Sequence, residues 1–394
     1  MKKQPDTLCT TQARHSDTIH MANPPLYQGS TIVYQRVADL VQAHRDYESG
    51  AESYTYGRKG TPTSLALCEA LAVLEGGHRT YLCPSGLAAL STALLSQLAT
   101  GDHILMVDTA YGPTRDLCEG LLKRYGVSTT YYDPLIGAGI EALIQANTRI
   151  IFLESPGSLT LEIQDVPAIT TVAKKHNITT IMDNTWATPL YFKAFEHGVD
   201  IVVQAVTKYI GGHSDVLMGA VTANERTYRS VRQTAHQTGQ FAGGMDIALV
   251  LRGLRTLPVR LREHERNALQ IAQWFEQQPA VERVIHPALP SHPQHALWQR
   301  DFLGASGLFT VVFKPEYSVE QINRMVESYQ YFGIGYSWGG FESLALPVHA
   351  AQLAHSRSAT TVAPNSMVRY QIGLETPEDL IEDLKLGLDQ LSKA

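Results

Sequence analysis

A chain of 394 residues, 44% of them hydrophobic, has room for two domains and a sizeable core. Its formal charge of -6 and its lack of clustered Lys and Arg exclude nucleic acid as the main partner, because neutralising phosphates needs grouped cations. No apolar run follows the charged start or approaches a membrane span, and Cys9, Cys68, Cys83 and Cys118 form no CxxC pair, so a cytoplasmic chain without a metal site is expected.

The first fifty or so residues show no clear periodicity and read as an arm ordered by packing on another subunit. The polar loop "YTYGRKGTPT" carries Tyr56 and Arg58; a guanidinium fork suits phosphate or carboxylate, and a surface salt bridge would occupy it equally well. From about residue 80 to about residue 224 the apolar runs "TYLCP", "HILMVD", "TRIIFLES", "ITTIMDNT", "DIVVQAV" and "GAVTAN" recur, most of them separated by helical spacing. Alternation of this kind implies an α/β layer with parallel pairing and a ligand beyond the carboxyl ends of the strands.

Within that region Ser85 and Gly86 open a helix directly after a strand, which makes either a phosphate seat at the positive end of the dipole or simply a tight turn. Tyr111 follows the second strand, where it packs or stacks over a flat ligand. "TRDLCEGLLKRYG" predicts a helix capped by Thr114 and stopped at Gly126, and "DVPAITTVAKKHN" predicts one capped by Asp165. Asp183 ends a core run and needs a cationic or N–H partner, either a protonated pyridine nitrogen or Lys208. Lys208 ends the run "IVVQAVTK", which reads as a strand buried on both faces. There a lysine snorkels to water, meets an anion or loses its charge to chemistry.

After about residue 245 a long helical stretch runs to "WFEQQP", and Pro258 predicts a kink or break in it. The segments "GLFTVVF", "YQYFGIGYSWGG" and "MVRYQIGLE" then alternate with helices, the last starting at Thr376 and Pro377, and make a second, smaller α/β domain. Arg369 stands inside an apolar strand, where a surface salt bridge is a poor explanation. His286, His292 and His295 lie among prolines and read as a solvated loop rather than a metal site, and His213 reads as a hydrogen-bonded structural residue. Glu378, Asp379, Glu382 and Asp383 give the last helix a favourably charged start and an exposed face.

A helix-start phosphate seat, a strand-end Asp and a strand-end Lys together describe a pyridoxal phosphate site. At these residues the chain resembles the Cys/Met-metabolism family of pyridoxal-phosphate enzymes, through "QAVTKYIGGHSDVLMGAV" around the lysine. The likeness continues in "YGRKGTPT", "LEGG", "CPSGLAAL", "TAYGPT", "FLESPGSLTLE", "MDNTWATP", "LRGLRTLPVRL", "YSWGGFESL" and "RYQIGLE", and so spans nearly the whole chain. It implies the aspartate aminotransferase fold (type I): an N-terminal arm over residues 1–55, a mostly parallel large domain over 56–250 and a smaller C-terminal α/β domain over 251–394.

The resemblance also implies roles. Lys208 would hold the cofactor covalently and move protons, Asp183 would pair with the pyridine nitrogen, and Tyr111 would stack on the ring. Gly86, Leu87 and Thr207 would bind the phosphate, joined by Tyr56 and Arg58 from a neighbouring subunit of a tetramer built as a dimer of dimers. Arg369 and Ser337 would grip the α-carboxylate of an amino-acid substrate, with Trp338, Tyr336 and Ser158 around it. Where γ-acting members carry Glu, Asn and Ser, this chain has the Tyr336 to Trp338 segment, Ser158 and Ala205, which resemble the β-cleaving carbon–sulfur lyases; Gly112 is the one γ-type residue. Cleavage of L-cystathionine at Cβ is therefore expected. The alternatives are a cysteine or S-conjugate β-lyase, a γ-lyase, an aminotransferase, and a non-catalytic regulator that retained the fold.

Overall fold

The computed structural model describes residues 3–12, 21–51, 53–348, 353 and 367–392. The six expected apolar runs become β1 Arg79–Cys83, β2 His103–Val107, β4 Thr148–Glu154, β5 Thr179–Asp183, β6 Ile201–Gln204 and β7 Gly219–Ala223, and an unexpected strand, β3 Ser128–Tyr132, joins them. They form one seven-stranded sheet in the order β1-β7-β6-β5-β4-β2-β3. All neighbours from β6 to β3 are parallel, while β7 runs antiparallel to both β1 and β6. Every residue of β2, β6 and β7 is buried, as continuous β-branched runs covered on both faces require. The smaller sheet is antiparallel throughout: β8 Val281–Ile285, β9 Leu308–Phe313, β10 Leu344–Val348 and β11 Met367–Gln371, in the order β10-β11-β9-β8.

Several local expectations fail for identifiable reasons. Lys208 does not end a strand, because β6 stops at Gln204 and the chain turns before the lysine. The helix after β2 starts at Gly112 with Tyr111 as its cap rather than at Thr114, and after Leu117 it passes into a π-helical turn over Cys118–Leu122. Proline explains the early start: Pro113 has its φ preset for a first helical turn, whose N–H groups lack partners anyway. Pro258 does not break the Gly244–Glu276 helix, whose burial in two apolar clusters outweighs one lost hydrogen bond. That helix runs unbroken through residue 250.

His286 and His292 are buried, not solvated; their Nδ1 atoms accept from the amides of Ala288 and Gln294 and so shape the proline-rich turn. Asp383 is buried as well, accepting from the amides of Gln330 and Tyr331. In the N-terminal region a Pro5–Thr11 helix packs on its own chain, with Cys9 only 1% exposed in a core shared with the Gly244–Glu276 helix. Asp165 and Ser85 cap their helices as expected.

Candidate active site

Asp183 is the last residue of β5 and pairs across the ladder with Glu154, the last residue of β4. Two acids therefore end adjacent parallel strands, at the edge where the sheet presents its ligand side. Glu154 accepts the Tyr111 amide through Oε2 at 2.7 Å, which fixes the turn that carries the tyrosine ring. Tyr111 is 45% exposed, so packing does not account for it. Burial, then Asp183 and Glu154, push its phenol above the usual range, and it stays protonated at neutral pH.

Asp183 Oδ1 accepts from both the amide (2.9 Å) and the hydroxyl (2.5 Å) of Thr185. Its Oδ2 accepts from no described residue. The salt bridge to Lys208 does not form; Lys208 Nζ instead donates to Ser337 Oγ at 2.6 Å. The amine also lies 5.3 Å from the Trp338 ring centre. Burial and the Arg369 charge push it down to about 8, against the pull of Asp183. A lysine so placed is a nucleophile near neutral pH, as an aldehyde cofactor needs.

Arg369 stands in the middle of β11 and donates through Nη2 to the Ser337 carbonyl at 3.1 Å. Among the described residues no carboxylate pairs with it. Burial lowers it to about 10, so it remains a cation at neutral pH and is open to a carboxylate. Ser337 thus receives the lysine on its hydroxyl and the arginine on its carbonyl. Its φ of +79° lies in the left-handed region that a non-glycine residue occupies at a cost. Tyr336 beside it is 77% exposed at the mouth of the site.

On the other side, Ser85 accepts the Ala88 amide and caps the Gly86–Leu95 helix, leaving the amides of Gly86 and Leu87 without an acceptor among the described residues. A side chain at Gly86 would meet the Ala205 methyl at 2.7 Å, so only glycine lets the helix start approach the β6 end this closely. The Thr207 hydroxyl already exchanges hydrogen bonds with the backbone of Met218, at 3.2 Å and 3.0 Å. Ser158 lies in the loop after β4, its amide bound to the Thr109 carbonyl. Tyr56 and Arg58 do not join this group within the chain. Arg58 donates to the His236 carbonyl at 3.1 Å and lines a separate cavity of about 500 Å³ with Tyr47, Lys59, Tyr81 and Arg232.

Three contributors escaped the reading of the sequence: Glu154, Thr185 and Tyr209. Glu154 carries the same signal as Asp183, an acid closing a core strand. Tyr209 is fully buried beside Lys208; its hydroxyl accepts from the Gly307 amide and donates to Gln371 at 3.1 Å, two residues from Arg369.

The donor set fits pyridoxal phosphate: two free amides at a helix start for a dianion, an open carboxylate oxygen for a protonated ring nitrogen, and an amine of lowered basicity for the aldehyde. Comparison with known proteins agrees. The chain is 42% identical to the cystathionine β-lyase of Haemophilus influenzae, over 94% of each chain. It is 40% identical to an L-alanine/L-glutamate racemase of Wolbachia pipientis, over 99% of this chain and 98% of that one. The solved structure of cystathionine γ-synthase from Xanthomonas oryzae superposes with a TM-score of 0.91 at 29% identity, covering 99% of both chains. The model of the Cys/Met metabolism PLP-dependent enzymes matches residues 6–389, and the chain belongs to that family.

Proposed function

We propose that the protein is a carbon–sulfur lyase of methionine biosynthesis that splits L-cystathionine and water into L-homocysteine, pyruvate and ammonia. The observation that carries this reading is the Ser337 bracket, which places an amine of lowered basicity and an unpaired guanidinium on the two sides of one residue. That spacing suits the Cα of an amino acid whose carboxylate is held by Arg369. When bound, pyridoxal phosphate supplies the aldehyde for the substrate amine and an electron sink for the pair released at Cα.

Lys208 removes the Cα proton and returns a proton to the departing sulfur. Asp183 would hold the ring nitrogen through Oδ2, and the amides of Gly86 and Leu87 would hold the phosphate, with the Thr207 hydroxyl beside them. Tyr111, held as the neutral phenol, would cover the ring. Ser337 releases the lysine when substrate arrives and keeps Arg369 in place. Trp338, Tyr336 and Ser158 border the leaving-group side. Loss of the thiolate needs a leaving group only on the carbon next to the carbanion, so no second base is required. Tyr336, Ser158 and Ala205, which stand where γ-acting members carry Glu, Asn and Ser, support the β-reaction.

Tyr56 and Arg58 complete the phosphate site of a neighbouring subunit, in a dimer of dimers. Among the described residues no helix is long and apolar enough to cross a membrane. Product analysis with L-cystathionine tests the reading. Pyruvate with homocysteine is expected. Formation of 2-oxobutyrate with cysteine would replace it with γ-cleavage, and D-alanine formed from L-alanine without any pyruvate from cystathionine would replace it with racemisation.

A further inference from the structure

Asp183 and the segment leading to Lys208 leave the ends of two neighbouring strands, and one buried hydroxyl spans the gap. Thr185 is 6% exposed. Its Oγ1 accepts the Ala205 amide at 2.9 Å and meets Asp183 Oδ1 at 2.5 Å. The direction of this chain is forced: an amide can only donate, so the single hydroxyl proton must go to the carboxylate. The Thr185 amide donates to the same oxygen at 2.9 Å. Burial pushes the Asp183 carboxyl up, and the Thr185 hydroxyl and amide head the opposing contributions, ahead of Lys208. Ala205 in turn accepts the Lys208 amide at 3.0 Å, so the same backbone unit anchors both the hydroxyl and the lysine turn.

We propose that Thr185 is a positioning residue: it saturates Asp183 Oδ1, so that the carboxylate stays ionised with Oδ2 turned to the cofactor's ring nitrogen, and it locks this acid to the backbone that delivers Lys208. The proposal rests on the pyridoxal phosphate reading of the site. It concerns Thr185 and not Asn184 between them, whose side chain is turned away onto the carbonyls of Thr188 and Phe192.

The test compares Thr185→Val, which keeps the shape and loses the hydroxyl, with Thr185→Ser, which keeps it, and with Asp183→Asn as reference. Pyridoxal phosphate affinity of the apo protein is measured by equilibrium dialysis across pH, and melting temperature is recorded for each variant. Thr185→Val should weaken binding about tenfold or more, as expected for a lost hydrogen bond to a charged group. Because the hydroxyl favours the ionised acid, its removal should also move the acid-side fall in affinity to higher pH. Thr185→Ser should restore both. A merely structural threonine would lower melting temperature, through the orphaned Ala205 amide, without moving the pH of that fall. Unchanged affinity and pH profile in Thr185→Val, or a folded Thr185→Ser that rescues neither, overturns the proposal; Thr185→Ala serves if Val does not fold. Wild-type affinity in Asp183→Asn overturns the pyridoxal phosphate reading itself, and the proposal with it.

Discussion

Lys208 reacts in its unprotonated form, and its surroundings set how much of that form exists. With the amine pushed down to about 8 by burial and by Arg369, roughly half is neutral near that pH, against well under a hundredth for an ordinary lysine. Reconstitution of apo protein, followed by cofactor absorbance, should accelerate as pH rises and level off above about 8. Arg369→Met should shift the plateau to higher pH, because it removes the positive neighbour that disfavours the ammonium; an unmoved plateau would contradict that coupling. Lys208, Asp183 and Arg369 were legible in the sequence because a charge in an apolar run violates the rule for core strands. Thr185 and Tyr209 violate nothing locally. A threonine in a turn and a tyrosine after a lysine gain meaning only when β5 lies beside β6 and the small sheet closes over Tyr209.

The Pro62–Glu75 helix ends on a carboxylate that is buried beneath the sheet. Glu75 Oε1 accepts from Gln204 Nε2 at 2.7 Å, and Gln204 also donates to the Asn184 carbonyl, so the helix end braces the carboxyl ends of β5 and β6. Its other oxygen and Asn184 Oδ1 are both buried acceptors without a donor among the described residues. Burial pushes the Glu75 carboxyl up to about 7. The folded state then binds a proton that the unfolded state has released, so stability falls as pH rises from about 4.5 to about 7. The full penalty, on the order of 3 kcal/mol, remains above that window. Glu75→Gln should therefore gain melting temperature over the wild type at pH 8 and little at pH 5. Equal differences at both pH values would remove Glu75 as the cause. Of the elements, buried strands and capped helices were readable from the chain, since unbroken apolar runs and Ser85 or Asp165 at a boundary have few other uses. The strands β3, β8 and β10 were not, because "STTYY", "VERVI" and "LALPV" owe their pairing to neighbours distant in sequence.

At the scale of the whole molecule, Arg58 donates to the His236 carbonyl and does not reach the group around Lys208 within its own chain, so the phosphate contact proposed for it requires a second subunit. If a neighbouring subunit supplies it, mixing refolded Arg58→Ala and Lys208→Ala proteins, each severely impaired alone, should restore activity, because every hybrid pair contains one site with both wild-type residues. No recovery in verified hybrids would assign Arg58 to its own subunit. The Gly244–Glu276 helix contributes to both buried apolar clusters, and Tyr209 ties the lysine turn to the smaller sheet through Gly307 and Gln371. The distance between the amine of Lys208 and the guanidinium of Arg369 is thus a gauge machined during folding, not a jaw that closes on its substrate. Catalysis should accordingly survive denaturant until the whole tertiary structure goes, with activity and near-ultraviolet dichroism lost in one and the same step.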